Sequence, residues 1–121
     1  MYVDLENFSY EEFDCKETGE NEMETRFLVK LQALRYDYGK PLTITSGYRS
    51  EKHSIEVAKS APGSHSSGLT ADIAVGPGED VHRLLELAFR HGFTGIGISQ
   101  REGQPRFVHL DLLPRKAVWG Y

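Results

Sequence analysis

Only one cysteine, Cys15, stands among the 121 residues, and that scarcity closes off two architectures. No disulfide framework can form within the chain, and no cysteine-built zinc site can either. The lone thiol reads as a packed or surface residue. Long hydrophobic runs are also missing: no apolar stretch approaches the roughly 18–20 residues of a membrane-spanning helix. Positive charge is not in excess. Lys and Arg number 14 against 18 Asp and Glu, a net charge of −4, with no cluster that reads as a nucleic-acid or membrane patch. The acidic start, Met1-Tyr2-Val3-Asp4-Leu5-Glu6, lacks the basic and apolar regions of a signal peptide. Repeats and low-complexity segments are absent. What remains fits one domain, residues 1–121, with enough apolar side chains for a core without staples.

The periodicities predict a mixed fold. Ser9-Tyr10-Glu11-Glu12 has the form of a capping box, and the turn it starts would hold Phe8 and Phe13 against the body. Phe27, Leu31, Leu34 and Tyr38 recur at spacings of three and four, which predicts a helix over Glu24 to Tyr38 stopped by Gly39. A second amphipathic helix is predicted over Glu79 to His91, with Val81, Leu84, Leu85, Ala88 and Phe89 on its apolar side and Gly92 after its end. Leu42 to Thr45, the run opened by Asp72, Gly95 to Ile98 and Arg106 to Leu112 read as strands, and Ser50 to Ser60 as a polar segment with room for a brief helix. No βαβ repeat appears. The expectation is α+β, a small, mainly antiparallel sheet flanked by helices.

The informative chemistry lies in Gly63-Ser64-His65-Ser66-Ser67-Gly68-Leu69-Thr70-Ala71-Asp72-Ile73 and, much later, Phe107-Val108-His109-Leu110-Asp111. A Gly/Ser-rich loop that turns at Gly68 and enters a strand can bring His65 and Asp72 to one point. His109 and Asp111, two apart on a strand, share the face opposite Val108, Leu110 and Leu112. Two imidazoles and one carboxylate with a coordination position left open is the pattern of a catalytic zinc, whereas structural zinc is closed by four protein ligands. A single His in such a loop usually means only a surface residue; the joint pattern argues for a site.

At these residues the chain resembles the zinc D-Ala-D-Ala carboxypeptidase family, the M15 peptidases, in its small phage and prophage branch with the hedgehog/DD-peptidase fold. That family carries S-x-H-x-x-G-x-A-x-D and a later His, matched here by His65, Gly68, Asp72 and His109. Lys40-Pro41-Leu42-Thr43-Ile44-Thr45-Ser46-Gly47-Tyr48-Arg49 is similar to its strand ending in S-G-Y-R, and Phe8 to Phe13 and Trp119-Gly120 also look like family features. The chain departs from the pattern at Gly63 for Ser (Ser64 follows it), at Thr70 for Ala, at Ser54 for Asn, and at Ala58-Lys59 for a Gly-Gly pair. Where many relatives place a Glu or Asp three residues before the last His, this chain has Arg106.

The resemblance implies one zinc ion held by His65, Asp72 and His109, substrate contacts from Arg49 and Ser64, and hydrolysis of peptide bonds in bacterial peptidoglycan stems, by D,D-carboxypeptidase or endopeptidase action. It also implies a phage or prophage product, endolysin-like or carried on the virion tail, made in the bacterial cytoplasm and acting on the cell wall; a monomer is expected. An Arg fork at position 49 suits a carboxylate or a developing oxyanion. For the general base, Asp111 is the first candidate, since strand alternation sets it beside His109, but it can equally accept the ring N–H of a ligand His and orient it. Glu102 and His53 are the other candidates, whereas His82 and His91 read as solvated or dipole-related. Two further classes stay open: a zinc-bearing binding module without turnover, and a structural tail component with a vestigial site. Retention of Arg49, His65, Asp72 and His109 together argues against decay.

Overall fold

The computed structural model describes residues 5–121 apart from 60, 62 and 77, so residues 1–4 of the acidic start, and Ser60 and Pro62 at the edges of the loop before His65, lie outside the described residues. A 3₁₀ turn at Tyr10–Phe13 leads to α1 (Thr25–Tyr38), β1 (Thr43–Ser46) and the single-turn α2 (Ser54–Val57). A second 3₁₀ turn at Ser64–Ser67 precedes β2 (Thr70–Ala74), α3 (Gly78–Arg90), β3 (Gly95–Ser99), β4 (Phe107–Asp111) and β5 (Ala117–Gly120).

The local signals act as the sequence predicts at the first two elements. Glu12 accepts the Ser9 backbone N–H at 2.6 Å, and the Phe8 and Phe13 rings, both buried, meet edge to face with centroids 5.6 Å apart. Helix α1 buries Phe27, Leu28, Leu31, Leu34 and Tyr38 on one stripe. Gly39 ends it in the left-handed region, φ 77°, with its N–H on the Arg35 carbonyl. Helix α3 turns the predicted side inward except at Phe89, with Leu85 partly buried against the core and Leu87 added to it. Val81, Leu84, Leu87 and Ala88 are buried, while Phe89 is 61% exposed. The 3.6-residue period set by Leu84, Leu87 and Ala88 leaves Phe89 outside the stripe.

Five strands form one sheet in the order β1-β2-β4-β3-β5, antiparallel except for β3 beside β5. This confirms the α+β, mainly antiparallel expectation. The parallel strand β5 was not read from the sequence as a strand. On one face Ile44, Ala71, Ile73, Ile96, Val108 and Leu110 join the α1 and α3 stripes in one apolar cluster. Strand alternation sends the intervening residues, Asp72, His109, Asp111, Gly95 and Gly97 among them, to the opposite face. No helix among the described residues is long and apolar enough to cross a membrane.

Candidate metal centre

Register brings the polar residues into a row. Asp72 of β2 is the pairing partner of His109 of β4, His109 of Gly97 of β3, and Gly97 of Trp119 of β5. Asp72 lies mid-strand because β2 begins at Thr70, two residues before the predicted start. His65 reaches the row from the 3₁₀ turn that precedes β2. Gly68 closes that turn at φ 77°, and a Cβ there would meet the Glu22 carbonyl. Only glycine serves at this position. The Ser64 carbonyl accepts the Thr70 hydroxyl at 3.0 Å and the Ser67 hydroxyl at 2.5 Å, tying the turn down onto β2.

Hydrogen bonds fix which nitrogen each imidazole presents. His65 Nδ1 lies 2.9 Å from the Gly47 carbonyl, which can only accept, so Nδ1 carries the proton and, in the neutral ring, Nε2 has the lone pair. Nε2 faces Asp72 Oδ2 at 3.3 Å. His109 is arranged the other way round: its Nε2 donates to Asp111 Oδ2 at 2.8 Å, and Nδ1 faces Asp72 Oδ1 at 3.2 Å. One ligand atom from each of His65, Asp72 and His109 lies within 4.8 Å of the others. Donors bound to zinc at about 2.0–2.1 Å in a tetrahedron stand roughly 3.3 Å apart. The two imidazoles stand at about that spacing from different oxygens of the Asp72 carboxylate, and the three residues are close enough together to hold one metal ion.

The residues behind the donors are as ordered as the donors. Asp111 is fully buried and accepts from His109, from the Leu113 N–H at 3.1 Å, and from both terminal nitrogens of Arg115 at 2.7 and 2.8 Å. It meets His109 at the nitrogen opposite the one that faces Asp72. The fork crosses β3 where Gly95 has no side chain; a Cβ there would run into the Asp111 carboxylate and the Arg115 guanidinium. Gly97 likewise leaves room for the Trp119 indole, whose ring lies 5.0 Å from that of His109, with Arg115 over its face at 5.4 Å.

Arg49 is bound to the His65 turn through its main chain. Its N–H donates to the His65 carbonyl at 3.1 Å, and its own carbonyl accepts the Ser66 hydroxyl at 2.6 Å. Its guanidinium donates to Glu56 Oε2 at 3.1 Å. The other candidates stand apart from the donor cluster. His53 caps α2 by accepting the Ile55 N–H at 3.0 Å, and its Nε2 lies 3.4 Å from Glu17. Glu102 is exposed in the β3–β4 turn. His91 pairs with Asp37 at 2.7 Å, and His82 is exposed on α3. Glu56, Gly95 and Arg115 were not singled out from the sequence. A Gly-x-Gly strand on the site face was the one available signal, for Gly95.

Charge follows the geometry. Burial pushes Asp72 upward, but in the metal-free protein the His109 and His65 rings, when they carry a second proton toward it, outweigh burial and hold the carboxyl at about 2. Glu56 is likewise held at about 2, against burial, by the Gly63 N–H, Lys59 and Arg49. His109 titrates above its ordinary 6.5: burial opposes its charge, but the Asp111 and Asp72 carboxylates on either side prevail. An unfolded chain protonates Glu and Asp near 4.5 and 3.8, whereas the folded chain keeps Glu56 and Asp72 ionised down to about 2. The unfolded state therefore binds more protons in that window. The stability these groups contribute is complete above about pH 4.5 and is lost as pH falls through about 2. The urea midpoint of metal-free protein is expected to be lower at pH 3 than at pH 5. His109 acts with the opposite sign, its contribution being present below 6.5 and lost as pH rises through its elevated value.

The sequence pattern of the family described as Peptidase M15 matches residues 6–111. That span takes in His65, Asp72 and His109, the group that could hold a metal ion, together with Asp111 and Arg49. Among curated proteins, none matches the chain. The match covers most of the 121 residues, and the chain belongs to the peptidase M15 family.

Proposed function

We propose that this member of the peptidase M15 family is a zinc-dependent hydrolase that cleaves peptide bonds in the stem peptides of bacterial peptidoglycan, as a D,D-carboxypeptidase or an endopeptidase with an endolysin-like role. The observation that carries the metal assignment is the donor set itself. Two imidazoles with fixed tautomers turn their lone pairs toward one carboxylate, at 3.2 and 3.3 Å. The peptide-bond chemistry follows from the family, and the wall substrate from the sequence resemblance.

His65 through Nε2, His109 through Nδ1 and Asp72 would hold the ion. Zinc in such a site supplies a Lewis acid for the carbonyl oxygen and lowers the pKa of a water to about 7. The protein's own residues do the rest. Gly47 and Asp111 each occupy the far nitrogen of one imidazole, so neither ring can turn or change tautomer without losing a hydrogen bond. Of the two roles read for Asp111, we therefore assign it the orienting one. Its oxygens are committed to His109, Arg115 and Leu113, on the side of the ring away from Asp72. His53 uses its acceptor nitrogen on the α2 cap, and Glu102 is exposed in the β3–β4 turn away from the donors. Arg49, fixed beside His65, holds a substrate carboxylate or the negative charge that develops on the carbonyl oxygen.

Arg49→Lys keeps the charge but not the two-point fork. It is expected to retain zinc and fold while kcat/KM falls by about 10²-fold, the cost of losing one preorganised donor to developing charge. Wild-type turnover in that variant would place Arg49 outside the site. The direct test of function is digestion of purified peptidoglycan with and without chelator, read by mass spectrometry for new termini. Chelator-sensitive cleavage supports the reading. Stoichiometric zinc without cleavage would favour a second one, a binding module of a phage tail or virion that has lost hydrolysis, which Arg106 in the usual carboxylate position supports.

A further inference from the structure

The polar segment between Arg49 and His65 contains a carboxylate that the chemistry above leaves unused. Glu56 lies on α2, its side chain fully buried. Its Oε2 accepts from Arg49 Nη1 and from Lys59 Nζ, each at 3.1 Å, and its Oε1 accepts the Gly63 N–H at 2.6 Å. A buried carboxylate on a one-turn helix is expensive unless it is paired and hydrogen-bonded. Here both oxygens are engaged, and the partners come from three places along the chain. Gly63 is the residue that caps the turn bearing His65. A Cβ at position 63 would approach Lys59 Nζ to 2.8 Å and Glu56 Oε1 to 3.3 Å. Thus Lys59 and Gly63, two of the positions at which the segment departs from the motif it resembles, both serve the same carboxylate.

We propose that Glu56 is a positioning residue, holding the Arg49 guanidinium at a set distance from the His65 ligand turn. The inference rests on the reading of Arg49 as the substrate's anion partner. Arg49 is already tied to that turn through its main chain, at the His65 carbonyl and the Ser66 hydroxyl. Main-chain bonds fix the Cα but leave a long side chain with its rotamers free, and ordering an Arg side chain costs conformational entropy. Glu56 fixes the far end of that side chain. Because the same carboxylate holds the Gly63 N–H, the guanidinium and the metal-ligand turn move as one unit. A substrate that is held at Arg49 and attacked at the metal needs that spacing kept, since errors of about 1 Å cost on the order of 10²-fold in rate.

Glu56→Gln separates this role from that of a loop staple. The amide oxygen can still accept the Gly63 N–H, but the amide nitrogen now meets Arg49 and Lys59 donor to donor. Arg49 Nε–Hε dynamics by NMR on metal-free protein give a readout independent of turnover. The guanidinium is expected to be ordered in wild type and mobile in Glu56→Gln, with zinc stoichiometry near wild type and a lowered thermal midpoint, both proteins being compared well below the onset of unfolding. On a wall fragment, kcat/KM should fall about 10- to 100-fold, and Glu56→Gln should cost nothing further in an Arg49→Ala background. Should the glutamine prevent folding, Glu56→Asp, which keeps the charge but shortens the reach, is read for the same mobility. Arg49 order unchanged in the substituted protein, or losses that multiply with Arg49→Ala, would overturn the proposal. Absence of turnover in the wild type would instead sink the hydrolase reading and leave the NMR comparison to decide the role of Glu56.

Discussion

His65→Ala and His109→Ala are each expected to abolish stoichiometric zinc binding and, with it, chelator-sensitive hydrolysis. Each removes one of three protein donors. The loss should therefore exceed the roughly 10–100-fold in affinity that follows from removing a partner one step further out. The two variants differ in what they leave behind. His65 takes its place through the Gly47 carbonyl, so its removal frees a main-chain acceptor at the rim of the site. His109 is almost wholly buried between two carboxylates, and its removal brings Asp72 and Asp111 face to face across the space it filled. His109→Ala should accordingly be the less stable of the pair when metal-free, while both still fold around the separate apolar cluster on the other sheet face. Metal analysis after dialysis, with circular dichroism as the control for folding, checks both statements. One zinc per chain retained in both variants would remove the metal centre from its assigned place.

Proton competition should accompany metal binding. His109 must give up its Nδ1 proton to act as a donor, and its flanking carboxylates raise its pKa above 6.5. Zinc affinity should fall as pH drops through that elevated value, as for any ligand that must deprotonate.

The donor triad was legible because it depends on short-range pattern: a glycine-closed turn ahead of a strand, and a His on an alternating strand. The same alternation placed Asp111 on the His109 face. It could not say which nitrogen of the ring Asp111 would meet, because that depends on Arg115. Arg115 is brought back by an irregular segment with no period, and the space it fills exists only because Gly95 has no side chain. Glu56 escaped for a similar reason: its partners Arg49, Lys59 and Gly63 surround a four-residue helix too short to show periodicity. Strand β5 was hidden because half of it is solvent-exposed and its partner β3 lies parallel, so no hairpin turn announced it. Phe89 misled because hydrophobicity marks a candidate for burial and not the direction a helix turns.

Asp111→Asn separates the two roles the sequence allowed for that residue. Were Asp111 the proton acceptor, the substitution would leave zinc in place and lower kcat by about 10²–10⁴-fold. The geometry predicts another result. Asparagine has one acceptor oxygen where the aspartate uses two, and those two receive His109, both nitrogens of the Arg115 fork and the Leu113 N–H. Whichever way the amide turns, its NH₂ must face a donor. With the amide nitrogen toward His109, the ring is driven to carry its proton on Nδ1, the atom that faces Asp72. With the nitrogen toward Arg115, a guanidinium nitrogen loses its acceptor inside the pair. The expected outcome is a drop of about 10–100-fold in zinc affinity, together with a lower thermal midpoint. Turnover at saturating zinc should recover much of its wild-type value. Arg115→Met, which removes the fork but leaves the carboxylate on His109, should reproduce the midpoint loss with a smaller effect on affinity. Normal zinc affinity with turnover that saturating metal does not restore would return Asp111 to the role of proton acceptor.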